Sequence, residues 1–430
     1  MSTTVADVYW DPWDREIYGD PRPVYRQLRD HAPLYHNDRH GFYAISRYED
    51  VERMLMDRDT FISGKGTILD AMLANAPIDP GLFIFEDPPF HTFHRARLMR
   101  VFTPRAVSLL EDDVREFCAR TLDALVGREH FDMMGDLARE VPMRVMGLLL
   151  GIPESDQPIL RDHFLETMHR PKGAEADRTF VSGAFAAYLD YREDHPSDDL
   201  MTRLLLTEFE DETGSTRRLT REELVTYLNL IAAAGNDTTG LLIGWTAKLL
   251  SDHPDQRADI ARDPSLIPNA IDEIVRCEPP AYSFGRYVAS DAEFHGQTVP
   301  AGSILMCVSG AANQDDRVFG PDAERFDIHR KFQRHISFGY GPHFCIGANL
   351  ARLEARIVLE ELMQRTPSWQ VDDDNARLVY GGPTRGYEYL PVTVGYDAQR
   401  DVLQCSPNLS RYSANDARIS SAVRPNSSAE

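Results

Sequence analysis

The residues of this sequence with the types and spacing best suited to chemistry lie in one short stretch, SFGYGPHFCIG, Ser337 to Gly347. Its glycines and Pro342 permit a tight loop, and a helix is predicted to begin at about Ile346, directly after Cys345. The free amides at the start of that helix would point back at the sulfur and stabilise a thiolate. Cys345 is therefore predicted to be a nucleophile or a metal ligand.

The neighbouring residues separate these uses of the thiolate. His343 is the nearest candidate base, but nothing else completes a pattern of nucleophile, base and orienting acid. Zinc would require three more ligands at short spacing, and the sequence does not supply them. A small buried apolar side chain is the ordinary role of a lone cysteine, and the glycine frame argues against it. A single thiolate fits haem, because the porphyrin supplies four nitrogens and the protein only an axial atom.

A second chemical signal, AAAGNDTTG from Ala232 to Gly240, interrupts a predicted helix that runs from Arg221 to about Leu250. Poor helix formers in the middle of a buried helix indicate a functional site. Thr238 can donate its hydroxyl to the carbonyl of Ala234 and bend the helix, while Gly235 allows a close approach and Asp237 supplies an acid. The alternative is a kink whose polar groups are satisfied internally.

A third signal is the spacing of Glu273 and Arg276, which places both on one helix face. The surrounding residues, LIPNAIDEIVRC, are apolar, so a buried ion pair is predicted. A surface salt bridge is the usual meaning of such spacing and stays open at this point.

Together these segments resemble the cytochrome P450 family. The pattern Phe338-x-x-Gly341-x-x-x-Cys345-x-Gly347 is similar to its haem-binding signature, and AGNDTT, ExxR and PDAERFD (Pro321 to Asp327) resemble further motifs in the family's order. The resemblance covers about residues 10 to 398 and is nearest to the soluble bacterial type. It implies a mainly α, multi-helical P450-like fold with a long central helix and small β-sheet patches near the N- and C-terminal parts.

The resemblance also implies roles for individual residues. Cys345 would be the axial ligand of haem b, and Asp237 and Thr238 would deliver protons to dioxygen. The remaining residues of the haem site would be His91, Arg95, Arg286, Phe338, His343 and Gly347. Arg325 would join Glu273 and Arg276 in a buried structural cluster. The substrate pocket would include Ile84, Ala234, Tyr282, Phe284 and Thr384, beneath a variable lid at Gly66–Phe85.

The implied activity is a monooxygenase that inserts one oxygen atom from O2 into a C–H bond of a medium-sized hydrophobic substrate, of terpenoid, steroid, macrolide or fatty acyl type. Electrons would come from a ferredoxin with its NAD(P)H-dependent reductase. The ferredoxin would dock on a basic patch, the alternative being ordinary solvated side chains. The patch comprises Arg95, Arg97, Arg100, Arg105, Arg330, Lys331 and Arg334. A peroxide-driven hydroxylase and a non-catalytic haem sensor are the alternatives, and the intact Asp237–Thr238 pair favours the monooxygenase.

Composition sets the outer limits of these predictions. The net charge of −22 argues against a nucleic-acid partner, and the five scattered cysteines indicate a reducing compartment. The chain shows no signal peptide or membrane anchor, so a cytoplasmic monomer is expected. We predict one haem domain over residues 1–400 and a flexible, polar C-terminal tail over residues 401–430.

Overall fold

A computed structural model describes residues 8–78, 81–158, 160–162, 179–211, 214–331, 334–380 and 383–395. The predicted C-terminal tail lies outside the described residues. Helices dominate the described chain and small sheets accompany them, as the sequence predicted. None of the described helices combines the length and the hydropathy needed to cross a bilayer.

The α-helices follow the apolar periodicity of the sequence. In chain order they are α1 (Arg15–Gly19), α2 (Arg22–His31), α3 (Tyr48–Met56), α4 (Leu69–Leu73), α5 (Phe90–Met99), α6 (Pro104–Ser108), α7 (Glu111–Asp123), α8 (Glu140–Leu150), α9 (Thr179–Asp194), α10 (Leu200–Leu206), α11 (Arg221–Asp252), α12 (Pro254–Arg262), α13 (Ile267–Cys277), α14 (Ser309–Ala312), α15 (Asp316–Phe319) and α16 (Ala348–Arg365). A π-helical segment, Met133–Ala138, directly precedes α8.

The strands form several small sheets. They are β1 (Leu34–Asn37), β2 (Phe42–Ile45), β3 (Phe61–Ile62), β4 (His130–Asp132), β5 (Glu208–Glu210), β6 (Thr216–Arg218), β7 (Phe284–Val288), β8 (Ala292–Phe294), β9 (Gln297–Val299), β10 (Ile304–Cys307), β11 (Ser368–Val371), β12 (Arg377–Leu378), β13 (Tyr387–Tyr389) and β14 (Pro391–Gly395). The largest sheet has the order β1-β2-β10-β7-β3 and is antiparallel except where β10 pairs with β2. It therefore joins the N-terminal part of the chain to the segment that follows α13.

The central helix α11 organises the main core. It has 32 residues, so it extends about 48 Å at 1.5 Å per residue. The predicted capping box is present: the Thr220 hydroxyl accepts from the Glu223 amide, and the Glu223 carboxylate accepts from the Thr220 amide. Side chains of α11 pack against α8, α9, α13, α16 and the π-helical segment. A helix buried on so many sides is anchored by tertiary contacts rather than by its own propensity.

Two further helices place the cysteine loop beside α11. Helix α16 begins at Ala348, directly after the loop, and packs against α7, α11 and α13. Because α13 carries Glu273 and Arg276, the loop, the central helix and the buried ion pair share one packed layer. The fold therefore brings the three chemical signals of the sequence into a single region.

Candidate functional site

The cysteine loop owes its shape to glycines in the left-handed backbone region. Gly339 and Gly341 have φ values of +72° and +69°, and a Cβ on Gly341 would lie 2.8 Å from the carbonyl oxygen of Leu55. No L side chain fits that position without strain. The Cys345 amide donates to the carbonyl of Phe338 at 2.8 Å, which closes the loop and fixes the direction of the thiol.

The thiol of Cys345 is open to solvent on one side although protein crowds it on the others. This crowding raises the pKa of Cys345, while the amides of Gly347 and Ala348 and the charges of Arg95 and Arg352 act in the opposite direction. The amides predicted from the sequence are thus present and lower the pKa of Cys345, although burial outweighs them. A cation bound at the sulfur would add to their effect.

Cationic and imidazole side chains gather near the loop from three elements. His91 and Arg95 lie on α5, Arg286 on β7, and His343 two residues before Cys345. The rings of His91 and His343 are 4.0 Å apart between centroids, and the Ser63 hydroxyl lies 3.2 Å from His343 Nε2. Burial and the Arg95 charge lower the pKa of His91 to about 4. Burial and the charges around it lower the pKa of His343 to about 2.

These groups lack the anionic partners that buried cations normally have. His91 is 3% exposed and its Nε2 atom has no hydrogen-bond partner. Arg286 is 5% exposed and donates to the carbonyl of Gly285 at 2.9 Å. Arg95 donates to the carbonyl of Phe344. Within the described part of the chain no carboxylate forms an ion pair with either arginine. The cluster therefore fits a ligand that brings its own carboxylates, as haem does.

The central helix, which packs against α16, carries the second chemical signal of the sequence. Thr238 Oγ1 donates to the carbonyl of Ala234 at 2.7 Å, as the sequence predicted. Ala234 is exposed at the middle of a helix that is otherwise largely buried, which indicates a cleft along this face. Gly235 faces elsewhere: a Cβ there would lie 2.6 Å from Met146 Sδ on α8. The close approach predicted for Gly235 is therefore made by a neighbouring helix.

Asp237 lies on a different face of α11 from Thr238. Its carboxylate is 4% exposed and accepts from the Thr384 hydroxyl at 3.1 Å. Burial lowers the pKa of Arg139, the residue before α8, and the charge of Asp237 acts in the opposite direction. The hydrogen bond from Thr384 thus fixes the Asp237 side chain and connects it to the loop that precedes β13.

The structural cluster contains a different arginine from the one predicted. Arg276 and Glu273 are fully buried and form two hydrogen bonds, at 2.7 and 2.8 Å. Arg330 joins them, with its Nε 3.2 Å from Glu273 Oε1. Arg325 is exposed, and only its carbonyl takes part by accepting from Arg276 and Arg330. The prediction for Arg325 is wrong because the chain turns back after Asp327 and brings Arg330 inward.

The candidate pocket residues divide into two groups. Ile84 and Phe284 are partly buried beside the core clusters, and Ala234 faces the cleft. Tyr282 is buried in the N-terminal core, and its hydroxyl donates to the Pro12 carbonyl at 3.3 Å. Thr384 is buried behind α11 on Asp237. The hydroxyl groups of Tyr282 and Thr384 are thus engaged with Pro12 and Asp237, and their lining role stays a prediction.

The predicted basic patch is smaller than the sequence indicated. Arg330 is buried in the structural cluster, and Arg97 stacks on Phe209 with 4.1 Å between its guanidinium carbon and the ring centroid. Arg334 pairs with Glu52. Exposed cations remain at Arg100, Arg105 and Lys331.

Sequence reasoning also missed residues that surround the loop. His335 and Arg352 each contact both Asp272 and Phe338. Met146 packs on the central helix. The position of Asp272 directly before Glu273 was the one feature of the sequence that could have indicated Asp272, His335 and Arg352. Nothing in the sequence indicated which helix would face Gly235.

Comparisons with known proteins agree with this geometry. A family model described as "Cytochrome P450" matches residues 186–377. The chain is 34% identical to the "Putative cytochrome P450 123" of Mycobacterium bovis, over 92% of this chain and 99% of that protein. It is 33% identical to the "Vitamin D(3) 25-hydroxylase" of Pseudonocardia autotrophica, over 91% and 98%.

Solved structures give the same result. Cytochrome P450 CYP109Q5 from Chondromyces apiculatus superposes with a TM-score of 0.79 at 30% identity, covering 90% of this chain and 98% of that one. A mutant of P450 EryK in complex with erythromycin B superposes with a TM-score of 0.79 at 30% identity, over 89% and 99%. The chain belongs to the cytochrome P450 family and is a P450 monooxygenase of the bacterial type.

Proposed function

We propose that this P450 binds haem b through Cys345 and inserts one oxygen atom from O2 into a C–H bond of a medium-sized hydrophobic substrate. The observation that carries the proposal is the juxtaposition of an open thiol with a buried cationic cluster that lacks carboxylate partners. Haem would offer one iron to the thiol and two carboxylates to the cationic cluster. When bound, it supplies the activation of dioxygen.

The cationic cluster orients the cofactor. His91, Arg95, Arg286 and His343 would donate to the haem carboxylates, and the unpartnered His91 Nε2 atom is a donor or acceptor already aimed at the site. Phe338 lies on the loop beside the sulfur and would pack against the porphyrin plane. A Cβ at Gly347 would meet no atom within 4 Å, so this glycine leaves room beside the cysteine.

The central helix handles protons. Thr238 is held by the Ala234 carbonyl with its hydroxyl at the cleft, where it can position water and pass a proton. Asp237 is the nearest acid on the same helix, and its bond to Thr384 keeps its carboxylate fixed.

The substrate is proposed to be apolar because three of the candidate pocket residues are apolar and not fully buried. Ile84, Ala234 and Phe284 offer hydrophobic surface and no charge. The names of the relatives support this class: they include the "Cyclomarin C epoxidase" of Salinispora arenicola and the vitamin D(3) 25-hydroxylase. A terpenoid, steroid, macrolide or fatty acyl compound fits these features.

A ferredoxin with its NAD(P)H-dependent reductase is the proposed source of electrons. Phe344 of the cysteine loop is exposed, and so are Met99, Arg100, Arg105 and Leu109, which follow Arg95, a residue that contacts this loop. Exposed apolar and basic side chains together suit an acidic partner. Reversing the charge of Arg100 and Arg105 to Glu should slow reduction by ferredoxin and leave reduction by dithionite unchanged. A cytoplasmic location and a monomeric state are proposed with this assignment.

The haem assignment is tested by the absorption of the reduced protein under carbon monoxide. A thiolate-ligated haem shifts the main band far to the red, and Cys345→Ala should abolish that shift. An unshifted wild-type band would overturn the proposal. A screen of hydrophobic compounds, followed by the spin-state change on binding, would then identify the substrate class.

Proton delivery is tested by Thr238→Ala. Turnover of an identified substrate should lose coupling several-fold, with the missing electrons recovered as hydrogen peroxide. Thr239→Ala is the matched control, because Thr239 is buried on the packed side of the same helix. Equal coupling in the Thr238 variant and the wild type would count against the monooxygenase route and favour a peroxide-driven enzyme.

A further inference from the structure

Phe338 is held between the side chains of Arg352 and His335. The guanidinium carbon of Arg352 lies 4.4 Å from the centroid of its ring. The His335 ring lies 5.7 Å away, tilted by 44°. The Phe338 carbonyl also accepts the Cys345 amide at 2.8 Å. The ring and the cysteine are therefore positioned by one short segment.

Asp272 contacts both Arg352 and His335. Its Oδ1 accepts from Arg352 Nε at 2.7 Å and lies 3.4 Å from His335 Nε2. Burial raises the pKa of Asp272, but the hydrogen bonds and charges of His335 and Arg352 outweigh it, so the pKa is lowered on balance. Asp272 adjoins Glu273, whose pairing with the fully buried Arg276 fixes this turn of α13. Arg352 is thus held between a rigid carboxylate and an aromatic face.

Arg352 stands on α16, which begins three residues after Cys345, and its guanidinium lies over the ring of Phe338, whose carbonyl accepts the Cys345 amide, so its charge is held close to the sulfur. Its side chain is one-third exposed, so solvent weakens the field but does not remove it. Arg352 projects from the second turn of α16, and the first turn supplies the amides that face the same sulfur. Two independent features of one helix therefore act on the thiolate.

We propose that Arg352, held by Asp272 against Phe338, is a positioning residue whose fixed positive charge sets the reduction potential of the bound haem. The proposal rests on the haem ligation by Cys345 described above. A cation beside the thiolate withdraws electron density from the sulfur and so favours the reduced iron, which carries one more electron. Removing the cation should make the potential more negative. Removing Asp272, which partly neutralises the cation, should make it more positive.

The test is a chemically mediated redox titration of the haem-loaded protein, read from its absorption. Arg352→Gln should lower the equilibrium constant for reduction by about threefold to tenfold, tenfold being about 59 mV for one electron. Asp272→Asn should raise it, and Arg352→Lys should change it less than Arg352→Gln. Arg356→Gln is the matched control. Arg356 lies one turn further along α16, is similarly exposed, and pairs with Glu111 and Glu360.

The signs of the two shifts in reduction potential distinguish an effect of the Arg352 charge from a purely structural role of Arg352. If Arg352 served only to hold Phe338, Arg352→Gln and Asp272→Asn would break the same contact and shift the potential in the same direction. Shifts of the same sign, or an Arg352→Gln shift no larger than that of Arg356→Gln, would overturn the proposal. If Arg352→Gln takes up no haem, Asp272→Asn decides by itself, since only a positive shift supports the proposal. Normal haem spectra with unshifted potentials would refute this inference alone, whereas a wild type without the red-shifted carbon monoxide band would refute the ligation itself.

Discussion

Arg286 should show a trade between the stability of the haem-free protein and its affinity for haem. The guanidinium is buried on β7, its hydrogen bond goes to a neighbouring carbonyl, and it lies 5.6 Å from the centroid of Phe284. Burial lowers its pKa, while Cys307 and Asp87 act weakly in the opposite direction. A lowered pKa means that the charged form is disfavoured in the folded state. Without a ligand, the charge on Arg286 therefore costs stability.

Arg286→Met removes this charge and keeps a side chain of similar length. Replacing poorly compensated buried charges by apolar groups stabilises proteins by about 1–4 kcal/mol, so the haem-free variant should gain about 1–3 kcal/mol in its free energy of unfolding. Losing one partner of a buried charge pair costs about 2–5 kcal/mol in binding. The affinity for haem should therefore fall by about 30-fold to 5,000-fold.

Two measurements test this trade. Urea unfolding of the haem-free protein, followed by far-ultraviolet circular dichroism, gives the stability, and transfer of haem to an excess of a scavenger protein gives the release rate. Arg276→Met is the contrasting variant, because Arg276 is fully buried and hydrogen-bonded to Glu273 and to the carbonyls of Asn313 and Ala323. It should lose about 3–5 kcal/mol. A haem-free Arg286→Met protein that is destabilised like Arg276→Met, or that releases haem no faster than the wild type, would refute the reasoning.

Three further predictions concern the same region. The pKa of His91 is lowered to about 4, so unfolding the haem-free protein takes up a proton between that pH and the unfolded value of about 6.5. The free energy of unfolding of the haem-free protein should stay constant above pH 6.5 and decline by about 2–3 kcal/mol as the pH falls from there to about 4. In His91→Gln, the free energy from urea unfolding should depend less on pH between these values. An unchanged slope would contradict the lowered pKa of His91. Glu354 is buried in α16 with one oxygen unpartnered, and burial raises its pKa well above the usual value. The folded protein favours the protonated carboxyl, so the stability that this group contributes is lost as the pH rises and the buried carboxyl ionises. Glu354→Gln should therefore stabilise the protein by about 1–2 kcal/mol at pH 8 and by less at pH 5. Equal gains in stability at both pH values would exclude a protonated carboxyl. Gly341→Ala should destabilise the cysteine loop by about 2–3 kcal/mol because of its positive φ and the facing backbone, whereas Gly347→Ala, with φ −85° and open space, should not; thermal unfolding of the two variants side by side would show whether they differ.

Local patterns in the sequence predicted the elements that depend on near neighbours along the chain. The capping box at Thr220, the bond from Thr238 to the Ala234 carbonyl and the pair of Glu273 with Arg276 each join residues three or four positions apart. Such contacts follow from helical geometry, so spacing alone is sufficient. The glycine-framed loop at Cys345 was predictable because glycine tolerates a positive φ, which is a property of the single residue.

Predictions that depended on distant contacts were less successful. Arg325 and Arg330 stand five residues apart in an irregular segment, and only the path of the chain decides which one reaches Glu273. Tyr282 and Thr384 were predicted to line the substrate pocket. In the structure the Tyr282 hydroxyl donates to the Pro12 carbonyl, and the Thr384 hydroxyl donates to the Asp237 carboxylate. Irregular segments have no fixed period, so their side-chain directions cannot be read from spacing.

The amino-acid sequence by itself determined that a lone cysteine ends a tight glycine-rich loop and that a long helix carries an acid and an alcohol at its centre. It also determined, through the resemblance of its motifs, that the chain is a P450. Only the tertiary structure decided what surrounds the sulfur. Asp272, His335 and Arg352 come from separate segments and converge on Phe338 because α13 and α16 pack together. The field at the thiolate is a sum over groups close in space, and separation along the chain does not reveal which groups those are.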